Sequence, residues 1–143
     1  MIVQCIKNKL ANFGEGVLKH SLRKVIHLDD HEDVGIKVGQ LYKVYGINLN
    51  FFIENMPFYY ICEDEHSSYP VPIAAVFFEI IDSKPSKYWN FVFEPGLTGR
   101  FGFFLPEWAR DQRYYERLVD GGQKEEDTFV QYKKLIEDEN IQN

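Results

Sequence analysis

Val38-Gly39-Gln40-Leu41-Tyr42-Lys43-Val44-Tyr45-Gly46-Ile47 is rich in aromatic and branched side chains and punctuated by glycines, the composition of a β-strand. Under strict alternation Tyr42, Val44 and Gly46 fall on one face, and Leu41, Tyr45 and Ile47 on the other, with Lys43 at the solvent edge. Both faces carry apolar residues. A curled antiparallel sheet or a small Src-homology-like barrel produces this pattern, because its strands are covered on both sides over part of their length.

The flanking sequence extends the β reading. Residues 1–6 form a first strand, apolar at Ile2, Cys5 and Ile6, and residues 51–63 form another, interrupted by Pro57. Proline cannot donate to a ladder, so Pro57 marks an edge, a bulge or the entry to the second half. Residues 10–34 show no sustained period and read as a long excursion with one short strand at 24–28. After the polar Glu63-Asp64-Glu65-His66-Ser67-Ser68, the prolines of Tyr69-Pro70-Val71-Pro72 hold that stretch extended. Residues 76–81 and 88–93, separated by Asp82-Ser83-Lys84-Pro85-Ser86, read as a hairpin. Its second strand sets Tyr88, Asn90 and Val92 opposite Trp89, Phe91 and Phe93. Residues 100–105 add a short strand.

Beyond Leu105 the period changes. Pro106 suits a first helical turn, and Trp108, Tyr114 or Tyr115, Leu118 and Val119 follow at helical spacing as far as Asp120-Gly121-Gly122. Phe129, Tyr132, Lys133 and Ile136 mark a second helix within 125–137, with Leu135 beside them. The expected fold is α+β, with about five or six strands in a curled antiparallel sheet or small barrel, closed by two C-terminal helices. The chain has 143 residues and a mass of 16.9 kDa, which suits a single domain over 1–143, β-rich over about 1–105 and helical over about 106–139.

Charge and composition narrow the function. Sixteen Lys and Arg against 22 Asp and Glu give a net charge of -6, which disfavours sequence-independent binding to phosphate backbones and so argues against a nucleic-acid partner. No apolar run is long enough for a membrane span and the N-terminus lacks a signal-peptide pattern, so a cytoplasmic protein with no membrane partner is expected. In that compartment Cys5 and Cys62 are expected to be free thiols within apolar strands.

No motif fixes a reaction. His27-Leu28-Asp29-Asp30-His31 has two imidazoles four residues apart, but a catalytic metal needs a third ligand and an open position, so a solvated acidic loop is the preferred reading. Gly99-Arg100-Phe101-Gly102 has neither the spacing nor the lysine of a phosphate loop. Ser67 and Ser68 beside His66 lack a nucleophile elbow, and a Cys62–His66 pair has no supporting motif. Neither a cofactor nor a metal is expected.

Two surface readings remain. Arg100, Arg110, Arg113 and Arg117 lie among Phe101, Phe103, Trp108, Tyr114 and Tyr115, which reads either as an interface patch or as aromatic glue under a solvated helix. The acidic groups Asp29, Asp30, Asp33, Glu63, Asp64 and Glu65 frame residues 38–63 and form a negative patch if their loops converge. Residues 116–139 are acidic too, with eight carboxylates against four basic residues.

The stretch from Val38 to Ile47, Phe78-Glu79-Ile80-Ile81-Asp82-Ser83, Ser86-Lys87-Tyr88-Trp89-Asn90-Phe91, Leu105-Pro106-Glu107-Trp108 and Leu118-Val119-Asp120-Gly121 together resemble a pattern in small bacterial proteins of unassigned function. Several of these are similar to immunity proteins encoded beside secreted polymorphic or contact-dependent-inhibition toxins. The resemblance spans about 38–122 and implies a fold more than an activity; residues 10–34 lie outside it. The expected function is therefore a non-catalytic binding protein that neutralises a toxin by covering a basic, nuclease-like surface. The expected contacts are Asp29, Asp30, Asp33, Glu63 and Asp64 together with Arg100, Trp108, Arg110 and Tyr114. The alternatives are an interaction module whose aromatic face grips a peptide or another subunit, and, third, a small metal-dependent hydrolase around His27, Asp30 and His31.

Overall fold

The computed structural model describes residues 1–139. Strands β1 (Ile2–Cys5), β2 (Leu41–Lys43) and β6 (Phe78–Asp82) form a three-stranded sheet in the order β2-β1-β6. A second sheet takes β3 (Gly46–Asn48), β4 (Phe58–Ile61), β5 (Val71–Ala74), β7 (Asn90–Phe93) and β8 (Phe101–Phe104) in the order β5-β4-β3-β8-β7. Every pairing is antiparallel.

The stretch 38–47 is thus not one strand but two, in different sheets. The Val44 amide donates to the Met1 carbonyl at 3.2 Å, and the next amide, Tyr45, donates to the Tyr60 carbonyl at 2.8 Å. Consecutive residues are tied to opposite sheets. Tyr42 and Val44 enter one core with Val3, Cys5, Tyr59 and Phe77, whereas Tyr45 enters another with Tyr60, Phe104, Trp108 and Phe129. Tyr42 and Val44 thus serve one core and Tyr45 the other, but the alternation does not carry through the switch, since Ile47 packs back on the first core, Gly46 lies against Trp108 and Tyr60 of the second, and Leu41 is exposed. β4 also serves both cores and is buried along its whole length, with Tyr59 and Ile61 in the first core and Tyr60 in the second.

The α+β class and a helical C-terminal region stand, but neither sheet closes into a barrel. Among the described residues eight short strands replace the expected five or six. The 51–63 strand shortens to β4, with Pro57 at its entry. Residues 76–81 and 88–93 do not form a hairpin, because β6 and β7 belong to different sheets; β7 and β8 are the hairpin instead.

In place of the long excursion with a strand at 24–28 stands helix α1 (Val17–Val25). Its N-cap is Gly16, with no side-chain cap, and its buried residues are Lys19 and Leu22, so a charge interrupts the apolar period. The first expected C-terminal helix divides into α2 (Pro106–Arg110) and α3 (Tyr114–Val119). Asp111 breaks it by adopting an extended backbone, φ -138° and ψ 106°, while its carboxylate accepts the Arg113 amide at 2.9 Å. Helix α4 (Gln123–Glu139) follows as expected and packs through Phe129 and Ile136. No helix among the described residues is long and apolar enough to cross a membrane.

One glycine sets how closely β8 approaches β3. A Cβ on Gly102 would run into the Ile47 carbonyl, and Gly102 also sits at φ +158°. Gly102→Ala is expected to lower stability by about 3 kcal/mol, from backbone displacement within the sheet. A urea midpoint equal to that of the parent protein would contradict this close packing.

Candidate functional site

The acidic loops do converge, in part. Ile36 is buried and anchors the segment after α1, while the Val34 amide donates to the Asn8 carbonyl at 2.8 Å and Asn8 Nδ2 donates to the Ile36 carbonyl at 3.0 Å. This staples residues 34–36 beside the chain that leaves β1. Asp33 Oδ1 accepts the Gly35 amide at 2.9 Å, and Gly35 has φ +96°. The missing Cβ leaves room for Glu63, whose Oε2 would lie 2.6 Å from such an atom. Glu63 lies two residues past the end of β4. The Lys133 ammonium of α4 donates to the Glu65 carbonyl at 2.8 Å and fixes the loop beyond.

The electrostatics agree with this placement. Burial, then Asp64, then Asp33 push the Glu63 carboxyl above its usual range. Among the described residues no cationic side chain pairs with Asp33, Glu63 or Asp64. Asp64 Oδ1 instead accepts the His66 amide at 2.8 Å. Glu63 therefore stands within electrostatic reach of Asp33 and Asp64 past the end of β4, with all three exposed and none in an ion pair among the described residues.

The remaining expected contacts are placed elsewhere. Asp29 is exposed on the same loop. Asp30 accepts Arg23 Nη2 at 2.7 Å and lies 3.7 Å from the buried Lys19 ammonium, which also pairs with Glu15 at 3.1 Å. Arg23 holds the Asp30 carboxyl below its usual range. Asp30 is thus consumed in fixing α1 and offers little to a partner.

Trp108 and Tyr114 are 3% and 4% exposed, so they are core rather than contact surface. Trp108 stacks on Tyr115 with centroids 4.9 Å apart and meets Tyr60 edge-on at 4.6 Å. The Tyr114 hydroxyl donates to the Glu125 carbonyl at 2.8 Å, tying α3 to α4. Arg100 faces inward as well: Nη1 and Nη2 donate to the Trp108 and Ala109 carbonyls at 2.6 Å and 2.9 Å, and Nε donates to Glu94 at 2.9 Å. It caps the end of α2. Of this group Arg110 alone is exposed, 3.3 Å from Glu107. The aromatic-glue reading of the patch is the one the geometry supports.

Among the described residues no group of three or more His, Cys, Asp or Glu is placed to hold a metal, and His27 and His31 are exposed. Burial pushes the Cys62 thiol up to about 12, so it stays protonated at neutral pH and is a poor nucleophile for a Cys62–His66 pair. An open apolar cavity of about 330 Å³ lies between α1 and β5, lined by Leu28, Phe51, Phe58, Ile73 and Phe77 among others.

An exposed aromatic surface lies on the β7–β8 hairpin. Phe91 and Phe93 are 60% and 65% exposed, Phe101 lies beside both, and Leu97 at the tip is fully exposed. The sequence displays the alternation of this strand but not which face is covered. The Val92 face packs on the second core, leaving the richer Phe91 and Phe93 face outward. Strand register puts the two surfaces at opposite ends of the sheet. Asn48 pairs with Phe58 at the entry of β4 and with Gly102, next to Phe101, whereas Glu63 lies past the other end of β4.

Replacement of Arg100 tests its inward role. Arg100→Met is expected to lower stability by about 2–3 kcal/mol through loss of charge-assisted hydrogen bonds to Glu94 and to the α2 carbonyls. An unchanged chemical-denaturation midpoint would put Arg100 back on the surface. No family model matches the chain, and neither a curated protein nor a solved structure does.

Proposed function

We propose that the protein is a non-catalytic binding protein whose partner is basic, and that it acts as an immunity protein, neutralising a toxin domain by covering its cationic surface. The observation that carries this reading is the placing of Glu63 beside Asp33 and Asp64 with no cation at ion-pair distance from any of the three among the described residues. A carboxylate that is partly dehydrated beside two others opposes folding, as Glu63 does, so it gains a physical rationale when a partner supplies cations. The net charge of -6 steers a basic partner toward it, at a rate that falls as salt rises.

The raised Glu63 carboxyl gives this reading a sign that experiment can check. A carboxyl whose folded value lies above its unfolded one leaves the fold more stable below the unfolded value, and that advantage is lost as pH rises through the folded value. Glu63→Gln is therefore expected to raise the melting temperature slightly at neutral pH. The gain should vanish below about pH 4, where both states are protonated. Lower stability of Glu63→Gln at neutral pH would show that Glu63 is a structural acceptor instead.

Binding is tested on a purified basic partner captured from host extract. The combined Asp33→Asn, Glu63→Gln and Asp64→Asn variant is expected to bind that partner about tenfold or more weakly, with a shallower salt dependence. Equal affinity of parent and triple variant would sink the acidic-cover reading.

A further inference from the structure

The four sheet edges are protected unequally. β5 carries Pro72, and β2 carries Lys43, whose ammonium donates to the Glu137 carbonyl at 2.9 Å. β6 carries Glu79 and Asp82, and its register against β1 shifts between Ile2 and Val3. These are the devices that keep edges from pairing with other chains. β7 is Asn90-Phe91-Val92-Phe93, with no charge, proline or register shift.

The hydrogen-bond phase of β7 says which groups its free edge offers. Glu94 donates to the Arg100 carbonyl at 2.8 Å, so the bonded pairs of the hairpin continue at Val92 with Gly102 and Asn90 with Phe104. Phe91 and Phe93 fall on the alternate positions, and their amide and carbonyl groups point away from β8. We propose that this edge pairs with β7 of a second copy of the chain, antiparallel about a twofold axis at Val92.

Three features select a second copy. The register is self-complementary: with Val92 on the axis, Phe91 of one copy faces Phe93 of the other at both bonded positions, and the outward amides and carbonyls satisfy one another. The rings also match. Phe91 already lies against Phe101 and Phe103 at 6.0 Å and 5.5 Å, and Phe93 against Phe101 at 5.6 Å, so a second copy doubles an existing aromatic ladder on one face.

Charge permits the contact as well. Two chains of net charge -6 repel unless their charges stay apart. The nearest carboxylate, Glu94, is paired with Arg100 at 2.9 Å. Glu63 lies past β4, the fourth strand from the seam counting β7 as the first, at about 4.8 Å per strand. The two acidic clusters thus sit about 30 Å apart, well beyond a Debye length of about 8 Å. This pairing is independent of the acidic surface and leaves it open.

The seam is short, so self-association is expected at about micromolar concentrations. Sedimentation of the full chain from about 1 to 300 μM should show a monomer passing to a dimer, unweakened by added salt. The Phe91 and Phe93 amides should gain hydrogen-exchange protection as the dimer forms. Phe91→Pro removes an outward donor without touching a β7–β8 bond, and Phe93→Lys places cations in the seam; both are expected to stay monomeric with the parent's near-ultraviolet circular dichroism. A parent protein monomeric throughout, or a dimer undiminished in whichever variant retains the parent spectrum, would overturn the pairing. Protection of those amides only on adding an extended segment of another protein would also overturn it, and assign the edge to that partner.

Discussion

The architecture depends on adjacent amides that bond in different directions. Val44 is tied to the three-stranded sheet through Met1, and Tyr45 to the five-stranded sheet through Tyr60. A strand that changes sheets leaves no slack between them. It also gives adjacent residues different cores to fill, which sheet corners generally require. Val44 and Tyr45 are almost wholly buried, and β4 repeats the division with Tyr59 and Tyr60. The aromatic surplus follows, because neighbouring strands must supply large side chains in two directions.

This arrangement also positions the surfaces. β4 ends at Ile61 in the core, and the chain then emerges as Glu63 and Asp64 against the loop fixed by Ile36. At the other end β3 carries β8, and β8 carries β7 as an outer edge. The acidic cluster and the phenylalanine edge are consequently separate. A partner that neutralises one need not cover the other. Their physics differs too: contacts at the carboxylates weaken with salt, whereas strand pairing at β7 rests on backbone hydrogen bonds and apolar area.

Much of the local structure was legible in the sequence. Apolar and aromatic composition located β1, the 38–47 stretch and the core of the 51–63 segment, and the change to helical spacing after Leu105 located the C-terminal helices. Helix α1 was hidden because Gly16 supplies no side-chain cap and Lys19 occupies its buried face, neutralised by Glu15 and Asp30 from outside the helix. The sheet switch was hidden because it turns on which partner strand each amide meets, Met1 for Val44 and Tyr60 for Tyr45, and local composition carries no sign of that. Convergence of the acidic loops was conditional on tertiary structure, and it is Gly35 that admits Glu63. The arginine and aromatic patch misled for a related reason: Arg100 completes α2 by reaching carbonyls, a role that its sequence neighbours do not reveal.

If one sheet-switching segment holds both halves, neither half can open alone. Native-state hydrogen exchange of the Val44 and Tyr45 amides tests this most directly, because the first reports on one sheet and the second on the other. Equal opening free energies, matching the global unfolding free energy and falling together with denaturant, are the expected result. A Val44 amide that exchanges through a smaller opening than Tyr45, or the reverse, would show that the two sheets are independent and would contradict the account.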